Sequence, residues 1–475
     1  MCYKLSLLLI TFSSFLFCCK SDRNLSEGHK KPNIVLIFTD DQGYGDLSCY
    51  GSTIVKTPHI DELAKKGVKL TSFYSASPVC SPSRAALMTG TYPKRIDMAT
   101  GTGFPVLLAG DEKGLNPNET TLAELLKSVG YSTGIFGKWH LGDQPEFLPT
   151  NQGFDEFFGL PYSHDIHTFH PFQERFNFPQ LPLLENGKVI EMDPDADYLT
   201  QRITEKAVDF IKRKQDNPFF LYIPHPLPHT PVHVSPDFMI DVDDETLQKL
   251  SLEHNTIDYT ARNPLYKNAI SEIDWSTGQI IKTLEDLGLK DNTLIIFTSD
   301  NGPGYGVGTA GPLRGFKGST FEGGMREPAI IYWPGKLPEG SVNDELMTTM
   351  DIFPTIASIV GAELPNNVVI DGKDILPTLL EQQKSPHDAF YYYNENTLEA
   401  VRSGEWKMRL KNGRPIELYN LKLDIGESTN VLDENPSIVN ALMKMTELFK
   451  RELNANSRQA AFIENAKPLD ITFSE

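Results

Sequence analysis

The chain has 475 residues, 40% of them hydrophobic and 23% charged, with a formal net charge of −19. This is the composition of an ordinary soluble protein, long enough for two or three domains or for one large α/β body with an appendage. The acidic balance argues against nucleic-acid binding as the main task, since a phosphate backbone is repelled by it, but leaves room for an anionic substrate in a local basic pocket. Of five cysteines, Cys2, Cys18 and Cys19 fall in the first nineteen residues and only Cys49 and Cys80 in the body, which excludes a disulfide scaffold.

The chain begins MCYKLSLLLITFSSFLFCCKSD, with Lys4 ahead of an apolar stretch from Leu5 to Phe17. That stretch is short for a membrane span and fits a secretory signal. A cysteine directly after the apolar core, followed by polar residues, looks like a bacterial lipoprotein signal in which Cys19 becomes the lipid-modified first residue. A plain signal peptide cut nearby is the alternative. The expected organisation is a signal over 1–19 and a polar tether over 20–31. The expected location is the periplasm or cell surface of a Gram-negative bacterium, with a lipid anchor at Cys19 as the only membrane contact.

NIVLIFT (33–39) is a continuous apolar, β-branched run that predicts a buried strand of a parallel sheet, and it ends on Asp40 and Asp41. TPHIDELAKKG (57–67) and TTLAELLKSVG (120–130) predict helices, each with an N-terminal Thr and a terminal Gly. YSTGIFG (131–137), PFFLYIP (218–224) and TLIIFTS (293–299) predict further strands, the last ending on Asp300 and Asn301; residues 264–289 predict a helix. Strand and helix alternate, so the main domain, 32–365, is expected to be α/β with a mostly parallel central sheet and helices on both faces. Residues 141–200 lack periodicity and are expected to be loops around a site. From 366 to 475 short strands (AFYYY, AVRSGEWKMRL, PIELYNL) and a helix from Pro436 to Leu453 predict a small antiparallel sheet with one helix.

Candidate chemistry gathers at strand ends, where open α/β sheets bind ligands. Asp40, Asp41, Asp300 and Asn301 supply oxygen ligands suited to a hard cation, Ca²⁺ or Mg²⁺. Each pair taken alone could equally cap a loop. A thiolate is a poor match for such a cation, so if Cys80 shares that site it does not act as a thiol.

Cys80 opens CSPSRAALMTG, and C-x-P-S-R followed by T-G resembles the signature of the type I sulfatases. Cys80, Pro82, Ser83, Arg84, Thr89 and Gly90 all match. TDDQGYGD (39–46), GKWHLG (137–142), PYSHD (161–165), HPLPHTP (225–231), FTSDNGP (297–303) and GFKGSTFEGGMREP (315–328) follow in the family's order, nearest to the arylsulfatase A and N-acetylgalactosamine-6-sulfatase branch.

The resemblance implies an alkaline-phosphatase-like catalytic domain. It also implies a sulfate-ester hydrolase whose Cys80 is oxidised to formylglycine by a formylglycine-generating or radical sulfatase-maturing enzyme. One hydroxyl of the aldehyde hydrate attacks sulfur, and the second later expels sulfate. Asp40, Asp41, Asp300, Asn301 and the converted Cys80 would hold one divalent cation. Arg84 would serve maturation and then support the site. Lys138 and Lys317 would contact sulfate oxygens, with Ser163 and His164 binding substrate. His229 would protonate the leaving oxygen, Asp300 would assist attack and His140 would act as the later base. His167, His170, His225, His233 and Arg314 are further candidates for contact with the substrate. An exported enzyme of this branch points to sulfated glycans with galactose or N-acetylgalactosamine units. Two other readings remain open: a phosphoesterase or phosphonate hydrolase of the same superfamily, and a vestigial sulfated-glycan binder.

Overall fold

Asn33–Thr39 forms strand β1, buried along its whole length. Strand side chains alternate between faces, so β1 serves two cores at once. Ile34, Leu36 and Phe38 enter one apolar cluster and Val35 and Ile37 another. A strand covered on both faces has no polar side to show, which is why it reads as an unbroken apolar run. The structure is a computed structural model that describes residues 30–246, 259–381 and 383–473. The expected signal and the Cys19 anchor lie outside the described residues.

The remaining strands of the main sheet longer than two residues are β2 (Val68–Tyr74), β3 (Ser132–Lys138), β4 (Glu156–Leu160), β5 (Pro182–Glu185), β6 (Lys188–Met192), β7 (Phe219–Pro224), β8 (Thr293–Ser299), β9 (Arg326–Tyr332) and β10 (Ser341–Asn343). They are ordered β10-β2-β9-β8-β1-β7-β3-β4-β5-β6. The central run β8-β1-β7-β3-β4 is parallel throughout. β9 is antiparallel to both of its neighbours, and β5 and β6 extend the far edge as an antiparallel pair.

Helices α1 (Pro58–Lys66), α4 (Leu199–Lys214) and α5 (Tyr266–Asp286) pack on the Val35 face through Ile60, Leu63, Ile203, Phe210, Ile270 and Ile273. Helices α2 (Cys80–Thr89), α3 (Leu122–Ser128) and α6 (Ile352–Val360) cover the Ile34 face through Leu87, Met88, Leu122, Leu126, Phe353 and Ile356. Each such fully buried side chain contributes about 1.5–3 kcal/mol. α3 starts where the sequence places it because Thr121 and Glu124 form a reciprocal capping box.

The expected small sheet is an antiparallel meander of β11 (Phe390–Asn394), β12 (Thr397–Ser403), β13 (Trp406–Lys411) and β14 (Arg414–Asn420), followed by α7 (Pro436–Ala455). Beyond α7 the chain returns to the larger body: Ala461–Phe462 pairs with Lys113–Gly114 and Arg458 bridges Glu119 at 2.7 Å.

One expectation is corrected. Residues 141–200 are not only loops, because β4, β5 and β6 lie within them. β5 and β6 are joined by Asn186-Gly187, both at positive φ (46° and 74°), the backbone that a tight hairpin turn requires.

Candidate active site

Five parallel strands end side by side, and a sequence motif follows each. Register pairs Thr39 of β1 with Ser299 of β8, so the next residues, Asp40 and Asp300, emerge together. β7 feeds the segment that carries His229, β3 leads from Lys138 to His140, and β4 leads to Ser163 and His164. α2 begins at Cys80 and presents the partial positive charge of its N-terminus. The structure thus brings together Cys80, Arg84, the acids, Lys138, His140, His229 and Lys317, with Ser163 and His164 beside them.

The contacts are dense. Lys138 Nζ lies 2.6 Å from Asp40 Oδ2, both side chains fully buried. Arg84 donates from Nε and Nη2 to Asp300 Oδ2 at 3.1 and 2.7 Å, and from Nη1 to the Lys138 carbonyl at 2.9 Å. Lys317 Nζ sits 2.9 Å from Asp41 Oδ2 and 3.4 Å from Cys80 Sγ. Asn301 donates to Asp41 Oδ1 at 2.7 Å. Ligand atoms of Asp40, Cys80 and Asp300 all lie within 4.8 Å of one another, as do those of Asp41, Cys80 and His229. Asp41 and His140 hold φ of 62° and 63°. A left-handed backbone at a non-glycine residue costs about 1–3 kcal/mol and persists where the surroundings enforce it.

Burial and neighbours set the charges. Burial opposes ionisation of Asp40, but Lys138, His229, Arg84 and Lys317 outweigh it and hold its carboxyl well below the usual range. Burial, helped by the Asp40 charge, pushes Asp300 up to about 7 against the pull of Arg84 and Lys138. Burial also pushes the Cys80 thiol up, despite two lysines. An unconverted Cys80 is therefore a protonated, poor nucleophile. Burial, with the Lys138 and Arg84 charges, holds His140 well below the usual imidazole range. Its Nε2 lies 2.9 Å from the Leu107 carbonyl, which can only accept. The neutral ring therefore keeps a lone pair on Nδ1, which is buried and without a hydrogen-bond partner.

Two further sequence candidates do not reach this centre. Arg314 donates to the Glu427 carbonyl at 2.9 Å and lies 3.9 Å over the Phe321 ring, tying the large body to the small sheet. His225 is fully buried, its Nε2 3.3 Å from Ser276 Oγ. Sequence reasoning missed Glu327, a fully buried carboxyl within the quoted GFKGSTFEGGMREP stretch. Burial, then the Asp300 and Asp41 charges, push it well above the ordinary carboxylate range.

A parallel sheet delivering acids, lysines and histidines around one cysteine at a helix start defines a hydrolase of the alkaline-phosphatase-like class. A sequence model of the sulfatase family matches residues 32–362, and one described as N-sulphoglucosamine sulphohydrolase, C-terminal, matches residues 316–457. Arylsulfatase A of Homo sapiens is 38% identical, covering 90% of this chain and 89% of its own. N-acetylgalactosamine-6-sulfatase of Homo sapiens is also 38% identical, covering 79% of this chain and 71% of its own. Among solved structures, PsFucS1 sulfatase from Pseudoalteromonas sp. superposes with a TM-score of 0.77 at 30% identity, covering 90% of this chain and 91% of that one. Ps i-CgsB in complex with k-i-k-neocarrahexaose superposes at 0.75 with 31% identity, covering 92% and 96%. The chain belongs to the sulfatase family and is a sulfuric ester hydrolase.

Proposed function

We propose that this sulfatase removes sulfate from glycans built on galactose or N-acetylgalactosamine units, using a formylglycine made from Cys80 and one divalent cation, Ca²⁺ or Mg²⁺. The observation that carries the reading is the position of Cys80 at the start of α2, between the acids of two strand ends and Lys317. Glycan substrates are supported by relatives: one bears the name N-acetylgalactosamine-6-sulfatase and another is complexed with a neocarrahexaose.

The residues fit a hard cation. Asp40, Asp41, Asp300 and Asn301 are all-oxygen ligands, and Asp40 Oδ1 and Asn301 Oδ1 are buried without a hydrogen-bond partner. Three carboxylates face three cations, Arg84, Lys138 and Lys317. A divalent ion would turn that balance positive, as an anionic substrate requires. When bound it would act as Lewis acid and template for the sulfate group. The aldehyde at residue 80, once hydrated, would supply one hydroxyl for attack and a second for release of sulfate.

The side chains perform the rest. Lys138 and Lys317 place fixed positive charge against sulfate oxygens, where a water-poor site makes it count. The Ser163 hydroxyl, buried beside Asp165, would donate to them. His229 is anchored through Nδ1 on the Thr230 carbonyl at 2.5 Å, so Nε2 is the nitrogen turned to the site. As imidazolium it would deliver the proton that an alkoxide leaving group needs. The Nδ1 lone pair of His140 would take a proton from residue 80, and Asp300 would assist the first attack.

We further propose export, with a lipid anchor on Cys19 and maturation of Cys80 by a formylglycine-generating or radical enzyme. The reading is tested with sulfate and phosphate esters of one phenol and a panel of sulfated galactose and N-acetylgalactosamine. Faster release of sulfate than phosphate, with turnover of the sugars, is the expected result. A preference for the phosphate ester would overturn it.

A further inference from the structure

Between Cys80 and Pro82 stands Ser81, a side chain that the chemistry above does not use. It lies in the first turn of α2, buried, and its hydroxyl oxygen accepts the Leu107 N–H at 3.1 Å. The Leu107 carbonyl is in turn the group 2.9 Å from His140 Nε2. Leu107 therefore joins the neighbour of Cys80 to the ring proposed as the base of the second step, with its N–H held on one side and its carbonyl used on the other.

That link belongs to a closed loop over 101–111. Asp111 clasps it, taking the Thr102 hydroxyl on Oδ1 at 2.6 Å and the Thr102 N–H on Oδ2 at 3.0 Å. The Gly101 N–H turns back onto the Phe104 carbonyl at 2.9 Å, and a Cβ at Gly101 would lie 2.5 Å from the Val106 carbonyl oxygen. Asp143, just past His140, accepts the Gly110 N–H at 2.6 Å. The Leu107 side chain is buried in the same apolar cluster as Leu87 of α2 and Leu141. The loop is thus shaped by its own bonds, and Ser81 ties it to the helix that carries Cys80.

His140 needs such a tie. Its backbone N–H donates to the Pro161 carbonyl at 3.0 Å, which places the main chain but not the ring. Nδ1 has no hydrogen-bond partner, so among the described residues the Leu107 carbonyl alone decides where the ring proton sits. With the carbonyl in place the proton stays on Nε2 and the lone pair on Nδ1. With the carbonyl displaced, the other tautomer becomes accessible and part of the molecules lose the Nδ1 lone pair.

We infer that Ser81 is a positioning residue for the second step: through Leu107 it holds His140 in the tautomer whose Nδ1 takes a proton as sulfate leaves residue 80. The inference rests on the formylglycine reading above. In that step the free hydroxyl of residue 80 gives its proton to Nδ1 and its O–H electron pair becomes the C=O bond. The C–O bond to sulfate breaks, and its electron pair leaves with sulfate. The first step, attack on sulfur and departure of the alcohol, makes no use of His140.

Two measurements test this. Hydrogen exchange, read by mass spectrometry on the Leu107 peptide of protein in which Cys80 is still a thiol, reports the link without turnover. Ser81→Ala is expected to speed exchange there about threefold to tenfold while peptides of α5 stay as in wild type. Single turnover of an aryl sulfate, scaled to the fraction of residue 80 converted as read from peptide mass, separates the two steps. Ser81→Ala is expected to slow sulfate release about threefold to tenfold with phenol release unchanged, and Ser81→Thr, which keeps the hydroxyl, to restore most of the loss. Unchanged exchange at the Leu107 peptide, sulfate release as fast as wild type, or an equal fall in both steps overturns the inference. No conversion of residue 80 in active wild-type enzyme would instead strike down the formylglycine reading, and the inference with it.

Discussion

Two clusters of buried charge can be compared in this molecule. One lies around Cys80; the other centres on Glu322, where the small sheet meets the large body. Both are built from carboxylates, lysines and arginines that are buried, apart from Lys317, whose side chain is 23% exposed. Around Glu322 every oxygen is used: Oε1 accepts from Lys407 Nζ at 2.9 Å and Tyr392 at 3.0 Å, and Oε2 from Tyr74 at 2.5 Å and Arg326 at 3.2 Å. Lys407 also pairs with Glu427 at 2.9 Å. Around Cys80, by contrast, Asp40 Oδ1, Asn301 Oδ1 and His140 Nδ1 have no hydrogen-bond partner. The left-handed backbones of Asp41 and His140 add local cost. Buried polar atoms are normally satisfied, so a saturated cluster is a fastening and an unsaturated one awaits a ligand.

That contrast can be broken from either side. The largest effect is expected at residue 80: Cys80→Ala should lower sulfatase turnover by about four orders of magnitude or more while leaving thermal unfolding close to wild type. Asp300→Asn, or chelation of divalent cations, should cost about 10²–10³-fold in kcat. Readdition of Ca²⁺ or Mg²⁺ should restore the chelated enzyme but not the variant, and activity surviving complete stripping would refute the metal assignment. Glu322→Gln should do the opposite, destabilising by about 3–5 kcal/mol in denaturant melts because Arg326 loses its buried carboxylate and Lys407 one of its two. Its folded fraction should retain most of its activity.

The Glu322 cluster also predicts a pH dependence. Burial opposes ionisation of Glu322, yet Lys407, Arg326 and Arg402 hold its pKa at about 2, below the 4.5 of an ordinary glutamate. A carboxyl with a lowered folded pKa stabilises fully above its unfolded value and loses that contribution as pH falls toward the folded one. The stability gap between wild type and Glu322→Gln should therefore narrow as pH drops from about 4.5 toward 2. A gap that is flat across that range would contradict the assignment. The smallest effect is expected at Cys49, a free thiol whose pKa burial and Asp61 raise. Cys49→Ser should change stability by about 1 kcal/mol or less and leave turnover intact.

How much could be read beforehand follows the same division. β1 and β8 are legible residue for residue, since a doubly covered strand is an apolar run with an abrupt acidic end. The reaction centre is legible because most contributors lie in motifs at or just after strand ends, so linear order already implies a common edge; Lys317, in the irregular stretch ahead of β9, is legible only through its motif. β5 and β6 escape notice because they are short, antiparallel and of mixed polarity, although Asn186-Gly187 was a usable hairpin signal. The Glu322 cluster is invisible in the sequence because its partners lie 70, 85 and 248 residues away, on β11, β13 and β2. Arg314 misleads for the converse reason, since it is adjacent in sequence to a site motif but turned toward the small sheet.

The most direct test of the central claim is the mass of the peptide containing residue 80, isolated from the protein made in its native host. Conversion of the cysteine side chain to an aldehyde removes sulfur and two hydrogens and adds one oxygen. The account predicts that mass change on the active protein, together with capture of the peptide by a carbonyl-reactive hydrazide. A plain thiol at Cys80 in protein that still releases sulfate would contradict it.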